Sequence, residues 1–260
     1  EEFNRRCRDS VFTYVQEWEK LTERIAYWVD MTEPYVTYEA NYVESCWWIF
    51  KRLWDNGLMF RDFRVTPHCP RCQTSLSSHE ISLGYQEDTP DPGITIRFKL
   101  RQNQPSLDAE IRKTLRLDDQ VQTSLLAWTT TPWTLPSNLA LAVHPEVDYA
   151  YVVTDGETLI MAKDLIDTVL RDAERSVVKV EKGASLVNLK YERLFKDLPA
   201  EGDICRVRSA EFVTTEDGTG VVHIAPGFGE DDYQLGCREG LPAVCPIDED
   251  CRFTNEVGDY

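Results

Sequence analysis

Pro132 and Pro136 stand directly behind the apolar run Leu125-Leu126-Ala127. A proline ring fixes φ and removes a backbone donor, so a strand that contains this run has to stop before Pro132. The eleven residues 128–138 also hold four threonines and two tryptophans. A strand is therefore expected to end in a proline-stiffened, hydroxyl-lined loop that keeps its shape without a hydrogen-bond ladder. Hydroxyls grouped on a rigid wall suit a polar ligand held in one orientation. The plainer alternative is a strand followed by a threonine-rich turn whose hydroxyls bond its own backbone.

A second stretch, residues 218–233, combines glycines, one histidine and three acids. A short buried strand over 220–224 carries His223 into a glycine-rich turn. The triplet Glu230-Asp231-Asp232 then opens a helix that contains Tyr233, Leu235 and Gly236. An aspartate at such a place commonly caps the helix, and His223 reads equally well as a hydrogen-bonded core histidine. No Lys-Ser/Thr follows the glycines and the third glycine of a dinucleotide fingerprint is missing, which argues against a phosphate-cradling loop.

Around these stretches the periodicity changes along the chain. Val11, Val15, Trp18, Leu21, Ile25 and Trp28 recur near a helical period, and Val43, Cys46, Trp47, Phe50, Leu53 and Trp54 mark a second amphipathic helix stopped near Asn56-Gly57. Residues 88–93, Asp-Thr-Pro-Asp-Pro-Gly, form a proline-stiffened boundary. Beyond it strands are expected over 94–100, 124–129, 139–143, 149–153, 158–161, 177–180 and 220–224, with another at Val207. Turns at Asp155-Gly156 and Asp217-Gly218 suggest hairpins and a barrel-like sheet. Residues 163–174 read as an intervening helix, and 190–199 as a segment looping over the surface.

The chain is long enough to bury a substantial core in one large or two modest domains. No signal peptide is apparent, and no apolar run approaches the ~18 residues of a membrane span. Eight scattered cysteines without secretory features suit free thiols in a reducing setting. Cys69-Pro70-Arg71-Cys72 is a knuckle that supplies two of the four ligands tetrahedral zinc needs; His68 and His79 are the conceivable substitutes nearby, while Cys245 and Cys251 lack the paired spacing. A net charge of −17 runs against gripping a nucleic-acid backbone, and the basic groups are small, as at Arg97 to Arg101 and Arg112-Lys113.

The two stretches together resemble the editing domain of the class I aminoacyl-tRNA synthetases, in the isoleucyl branch. The family's peptide Trp-Thr-Thr-Thr-Pro-Trp-Thr-Leu-Pro-x-Asn matches residues 128–138 at every stated position. Its signature Gly-x-Gly-x-Val-His-x-Ala-Pro-Gly-x-Gly-x-x-Asp-Tyr matches 218–233 with the histidine-to-aspartate spacing kept. Sister valyl and leucyl enzymes carry Thr-Thr-Arg-Pro, so Thr131-Pro132-Trp133 favours the isoleucyl branch. The likeness extends through residues 43–54 and 69–84. The adenylate-forming signatures His-x-Gly-His and Lys-Met-Ser-Lys-Ser do not occur in these 260 residues, and the chain reads as an internal excerpt of a longer enzyme.

The resemblance implies an α+β protein in four parts. Residues 1–66 are a helical segment of the catalytic core, 67–88 a zinc-knuckle stem, 89–250 a β-barrel-like editing domain and 251–260 an exit segment. It implies a cytoplasmic enzyme whose partner is the 3′ end of isoleucine tRNA carrying valine. ATP and magnesium serve only the full-length synthetase, and zinc at Cys69 and Cys72 is possible there. The implied chemistry is hydrolysis of the mischarged ester. Asp232, Thr130 and Thr131 are the catalytic candidates, Asp232 as the partner of the α-ammonium and Asp231 as the helix cap. His223, Asn138, Trp128 and Thr129 are the candidates for substrate contact, and Thr134 is expected to turn toward the core. The rival readings are a noncatalytic module that positions tRNA, and a sister valyl or leucyl editing domain.

Overall fold

The computed structural model describes residues 1–84, 86, 89–101 and 122–258, and it divides into two compact units, Glu1–Asp62 and Phe63–Tyr260. Asp88 of the linker, Arg112-Lys113 and the last two residues lie outside the described residues.

The first unit holds three helices, α1 (Glu2–Val11), α2 (Val15–Arg24) and α3 (Ala40–Asp55). The single helical period expected over 1–30 breaks at residues 12–14, where the Thr13 hydroxyl returns to the Asp9 carbonyl and competes with the ladder. The expected stop of α3 is present: Asn56 is the C-cap, and Gly57 follows at φ +68°, a left-handed turn that suits a residue without Cβ. None of the three helices has a buried residue. Trp18, Trp28 and Trp47 are all exposed.

The second unit begins with the knuckle, a short antiparallel pair of β1 (His68–Cys69) and β2 (Thr74–Ser75), followed by α4 (Ser78–Gly84). Ser77 and Glu80 form a reciprocal capping box at the start of α4, each side chain reaching the other's amide. Eight further strands follow: β3 (Ile94–Lys99), β4 (Thr123–Thr129), β5 (Ala140–Val143), β6 (Asp148–Thr154), β7 (Glu157–Ala162), β8 (Ser176–Lys182), β9 (Arg206–Ser209) and β10 (Val221–Ile224). They make a five-stranded sheet in the order β3-β4-β7-β6-β8 and a three-stranded sheet in the order β10-β5-β9. The fold is α+β, as expected. The sheets stay separate, and among the described residues they do not close into a barrel.

The Asp155-Gly156 hairpin joins β6 to β7 with both central residues at positive φ, the geometry a two-residue turn between twisted strands requires. Two pairings are parallel, β4 with β7 and β5 with β9. Strands β4, β6 and β7 are buried almost continuously rather than alternately, because both of their faces are covered. One core cluster runs through both sheets and includes Phe98, Leu125, Leu141, Tyr149, Ile160, Tyr191 and Val207. Phe98 and Tyr191 meet edge to face at 5.3 Å.

Two further expectations are corrected. The helix expected over 163–174 is a 3-10 turn, Lys163–Leu165, followed by α5 (Ile166–Leu170); Arg171 at φ +46° then ends the helix. The segment 190–199 does not loop over the surface: Tyr191 and Leu198 are fully buried, and Tyr191 reaches back to Asn138. Its charged neighbours hid an apolar anchor. The last helix, α6 (Glu230–Glu239), follows the glycine-rich turn. Among the described residues no helix is long and apolar enough to cross a membrane.

Candidate functional site

Strand β4 ends at Thr129, and the proline-rich loop that follows is a 3-10 helix, Pro132–Ser137, with Pro132 at its start. Pro132 is well placed there, since the first turn needs no amide donor. Three residues per turn put positions 131 and 134 on one face. Strand β10 packs beside β4 and carries His223 toward the same place. The sharp turn 225–229 then delivers the first turn of α6.

These three segments enclose a cavity of about 340 Å³ at the junction of the two sheets. Trp128, Thr129, Thr131, Trp133 and Thr134 line it from the threonine side. Val222, His223, Phe228, Gly229 and Asp232 line it from the other. Thr130 is not among the lining residues. Asn138 is buried in the core, where its amide donates to the Ala140 carbonyl and its oxygen accepts from Tyr191 Oη. It therefore anchors the end of the loop rather than the cavity.

The threonines form a connected set. Thr131 donates its backbone N–H to Thr129 Oγ1 at 3.0 Å, and the two hydroxyls are 3.1 Å apart. Thr134 is buried, as expected, yet also lines the cavity: its hydroxyl donates to the Thr131 carbonyl and stands 2.9 Å from His223 Nε2. The 3-10 pitch returns it to the Thr131 face. Val222 and Phe228, also unanticipated, add apolar wall.

Trp128 is held at the rim. A Cβ on Gly93 would come within 2.6 Å of its indole Nε1, and one on Gly218 within 3.0 Å of its Cε3. Two backbone segments lie against the ring only because both are glycine, and the indole remains partly exposed.

Asp232 is the third residue of α6, whose N-cap is Gly229 with no side-chain cap bond; Asp231, expected to cap, is exposed and does not. Asp232 Oδ2 instead accepts from the Ala225 amide at 2.9 Å. Burial pushes its carboxyl up to about 6, and the charge of Asp231 adds to the rise while the Ala225 amide opposes it. Burial holds the His223 imidazole down to about 4, so it is neutral at physiological pH. The site thus pairs a neutral ring and several hydroxyls with one carboxylate that, among the described residues, has no positive partner.

Cys69 and Cys72 lie together, with the Cys72 amide 3.4 Å from Cys69 Sγ. That hydrogen bond leads in lowering the Cys69 thiol, and the neighbouring Cys69 sulfur raises Cys72. Among the described residues no group of three or more His, Cys, Asp or Glu is placed to hold a metal ion. Two thiols alone would supply half of the four ligands tetrahedral zinc needs.

The arrangement has relatives. Residues 1–218 match the model of the class I tRNA synthetases (I, L, M and V), and the chain belongs to that family. Within it, the chain is 44% identical over its whole length to the isoleucine–tRNA ligase of Treponema denticola, of which it covers 25%. It spans about a quarter of the length of the curated relatives it matches. Among solved structures it is similar to GlLeuRS-CP1, at 19% identity and a TM-score of 0.48, over 55% of this chain and 59% of that one. The P. knowlesi cytosolic leucyl-tRNA synthetase editing domain is similar at 15% identity and a TM-score of 0.45, over 57% and 63%.

Proposed function

We propose that this cavity hydrolyses the ester joining valine to the 3′ end of isoleucine tRNA. The observation that carries the reading is the meeting of Asp232 with the Thr131–Thr134–His223 set in one cavity large enough for a small ligand. A methylene difference in an apolar pocket is worth about 1–3 kcal/mol, or roughly 10–200-fold, a general figure for which isoleucyl-tRNA synthetases are themselves the standard example. Selection by binding alone leaves valine attached to some isoleucine tRNA, and a second site that admits only the smaller side chain removes it.

Each residue has a role in that chemistry. The Asp232 carboxylate takes the α-ammonium of the esterified amino acid, which supplies the positive partner it lacks. Thr131 and Thr129 hold the ester or its attacking water. His223, Val222 and Phe228 form the wall that meets the side chain, where isoleucine's extra methylene is excluded. Trp128 and Trp133 offer aromatic faces for the terminal base. An ester has a serviceable leaving group, so orientation and an aligned water suffice without a covalent nucleophile; among the described residues no serine or cysteine lines the cavity. Asn138 holds the end of the loop from outside the cavity. Zinc at Cys69 and Cys72 would need two further ligands and would brace the knuckle. In the whole cytoplasmic enzyme, ligation of isoleucine with ATP and magnesium belongs to segments bearing the signatures this chain lacks.

The Ala225 amide engages one oxygen of Asp232, yet a purely structural module has little use for a carboxylate that lines a cavity beside hydroxyls and a neutral ring, and this counts against the noncatalytic reading. The test compares the 260-residue chain on valine-charged and isoleucine-charged isoleucine tRNA. Valine should be released at least about ten-fold faster, the low end of what one methylene provides. Equal rates, or faster release of isoleucine, would refute the reading.

A further inference from the structure

The hydrogen bonds between His223 and the threonine loop run in only one direction. Thr134 has a single hydroxyl proton. Its Oγ1 is 2.8 Å from the Thr131 carbonyl, which can only accept, and 2.9 Å from His223 Nε2. With the proton directed to the carbonyl, Oγ1 must accept from Nε2. A neutral imidazole carries one N–H, so that proton sits on Nε2 and Nδ1 keeps a bare lone pair. Nδ1 is buried and, among the described residues, has no hydrogen-bond partner. The opposite tautomer would bury an N–H without an acceptor and leave the Thr131 carbonyl and Nε2 competing for one hydroxyl proton, which is the costlier arrangement.

We propose that Thr134 is a positioning residue that locks His223 as its Nε2–H tautomer and ties the imidazole to the Thr131 carbonyl, so that the wall that meets the side chain and the loop that holds the ester keep one fixed spacing. The proposal rests on the reading of the cavity as an ester-hydrolysing site that excludes isoleucine. The 3-10 turn is what allows the link, since it brings Thr134 back over the Thr131 carbonyl, which also accepts the Thr134 amide. On the other side the Thr131 amide is tied to Thr129 Oγ1 at the end of β4. The relay therefore runs from β10 to β4 through three consecutive polar contacts. Without the Thr134 hydroxyl the ring is free to change tautomer and tilt, and the wall yields to a larger side chain.

The chain has four histidines, His68, His79, His144 and His223, so long-range proton–nitrogen correlations resolve each ring in the intact 260-residue protein. At neutral pH His223 should show a protonated Nε2 and a bare Nδ1, and Thr134→Val should abolish that fixed pattern. A protonated Nδ1 in the wild-type chain, or an unchanged pattern in Thr134→Val, would overturn the proposal. In deacylation assays Thr134→Val, which keeps the shape and loses the hydroxyl, should lower the valine-to-isoleucine rate ratio about ten-fold, the effect of one net hydrogen bond. Thr134→Ser should retain the ratio. Equal ratios in all three proteins, or a loss in Thr134→Ser as large as in Thr134→Val, would also overturn it. Should the wild-type chain hydrolyse neither ester, the reading of the cavity fails, and the nitrogen pattern alone decides the relay.

Discussion

Asp232 keeps its carboxyl at about 6 in the fold against an ordinary 3.8. A carboxyl that binds its proton more tightly folded than unfolded contributes stability at low pH, and that contribution is lost as pH rises through about 6. At neutral pH the buried charge costs on the order of 2–3 kcal/mol, from about two pKa units at 1.36 kcal/mol each. Asp232→Asn keeps an acceptor for the Ala225 amide and removes the charge. We expect it to unfold at higher denaturant than wild type at pH 7.5, with the gain shrinking toward pH 4, and to lose at least about ten- to hundred-fold in valine deacylation, the loss expected for one charge-assisted contact. In the wild type kcat/KM should fall as pH drops through about 6, because the anchor must be ionised. His223 has the opposite slope. Its folded value of about 4 lies below the unfolded 6.5, so its contribution is present above about 6.5 and is lost on acidification. Denaturant titrations at pH 4.5 and 7.5 check both signs; a stability gain in Asp232→Asn that is larger at the lower pH would contradict the assignment. The identity of both residues was legible from their spacing. Their protonation was not, since it depends on how far the folded chain removes each group from water.

Among elements, the turn into α6 is built around a residue with no side chain. A Cβ on Gly229 would lie 2.9 Å from Asp232 Cγ, although the backbone there has an ordinary negative φ. Gly229→Ala should therefore leave the helix intact and push the carboxylate off its site. The expected outcome is a melting temperature near wild type with valine deacylation reduced roughly ten- to hundred-fold, the usual effect of misplacing a group by about 1 Å. On the facing loop, Thr131→Arg should fill the cavity and abolish deacylation while circular dichroism stays unchanged; a folded variant that still deacylates valine would make the threonine loop merely structural. Pro132 told where β4 ends, and Asp155-Gly156 told where β6 turns into β7, because both signals are local steric facts. The 3-10 pitch of 132–137 and the parallel pairing of β4 with β7 were not legible. The pairing depends on which distant segment supplies the hydrogen bonds, and the pitch on the proline-rich loop closing i→i+3 bonds such as that from the Thr134 amide to the Thr131 carbonyl.

For the whole molecule, the two units differ in how far they can stand alone. The three helices of Glu1–Asp62 bury none of their residues fully, so that segment has no closed apolar core to offset the ordering of the chain. The second unit holds all of the large buried core clusters. We expect a peptide of residues 1–62 to show little helix by circular dichroism at 25 °C, since isolated helices of about this length are marginal. A chain beginning at Phe63 should unfold cooperatively and retain the valine preference of the 260-residue chain. A well-folded 1–62 peptide, or loss of the cooperative transition in the shorter chain, would show that the units depend on each other differently.

By itself the sequence determined the chemistry and its order along the chain: a hydroxyl-rich segment behind a strand that proline must end, a histidine on a short apolar strand, and an acidic residue a fixed distance beyond it. Those features follow from local sterics and residue type. Only the tertiary structure decided which of them meet. It brought Thr134 back into the cavity and left Thr130 and Asn138 outside the lining. It also drew Tyr191 inward and made Asp232, half-buried, rather than the exposed Asp231 the carboxylate of the cavity. The reason is that burial, the pitch of a tight turn and the pairing of sequence-distant strands are set by the competition of the whole chain for one core, and no local window records its outcome.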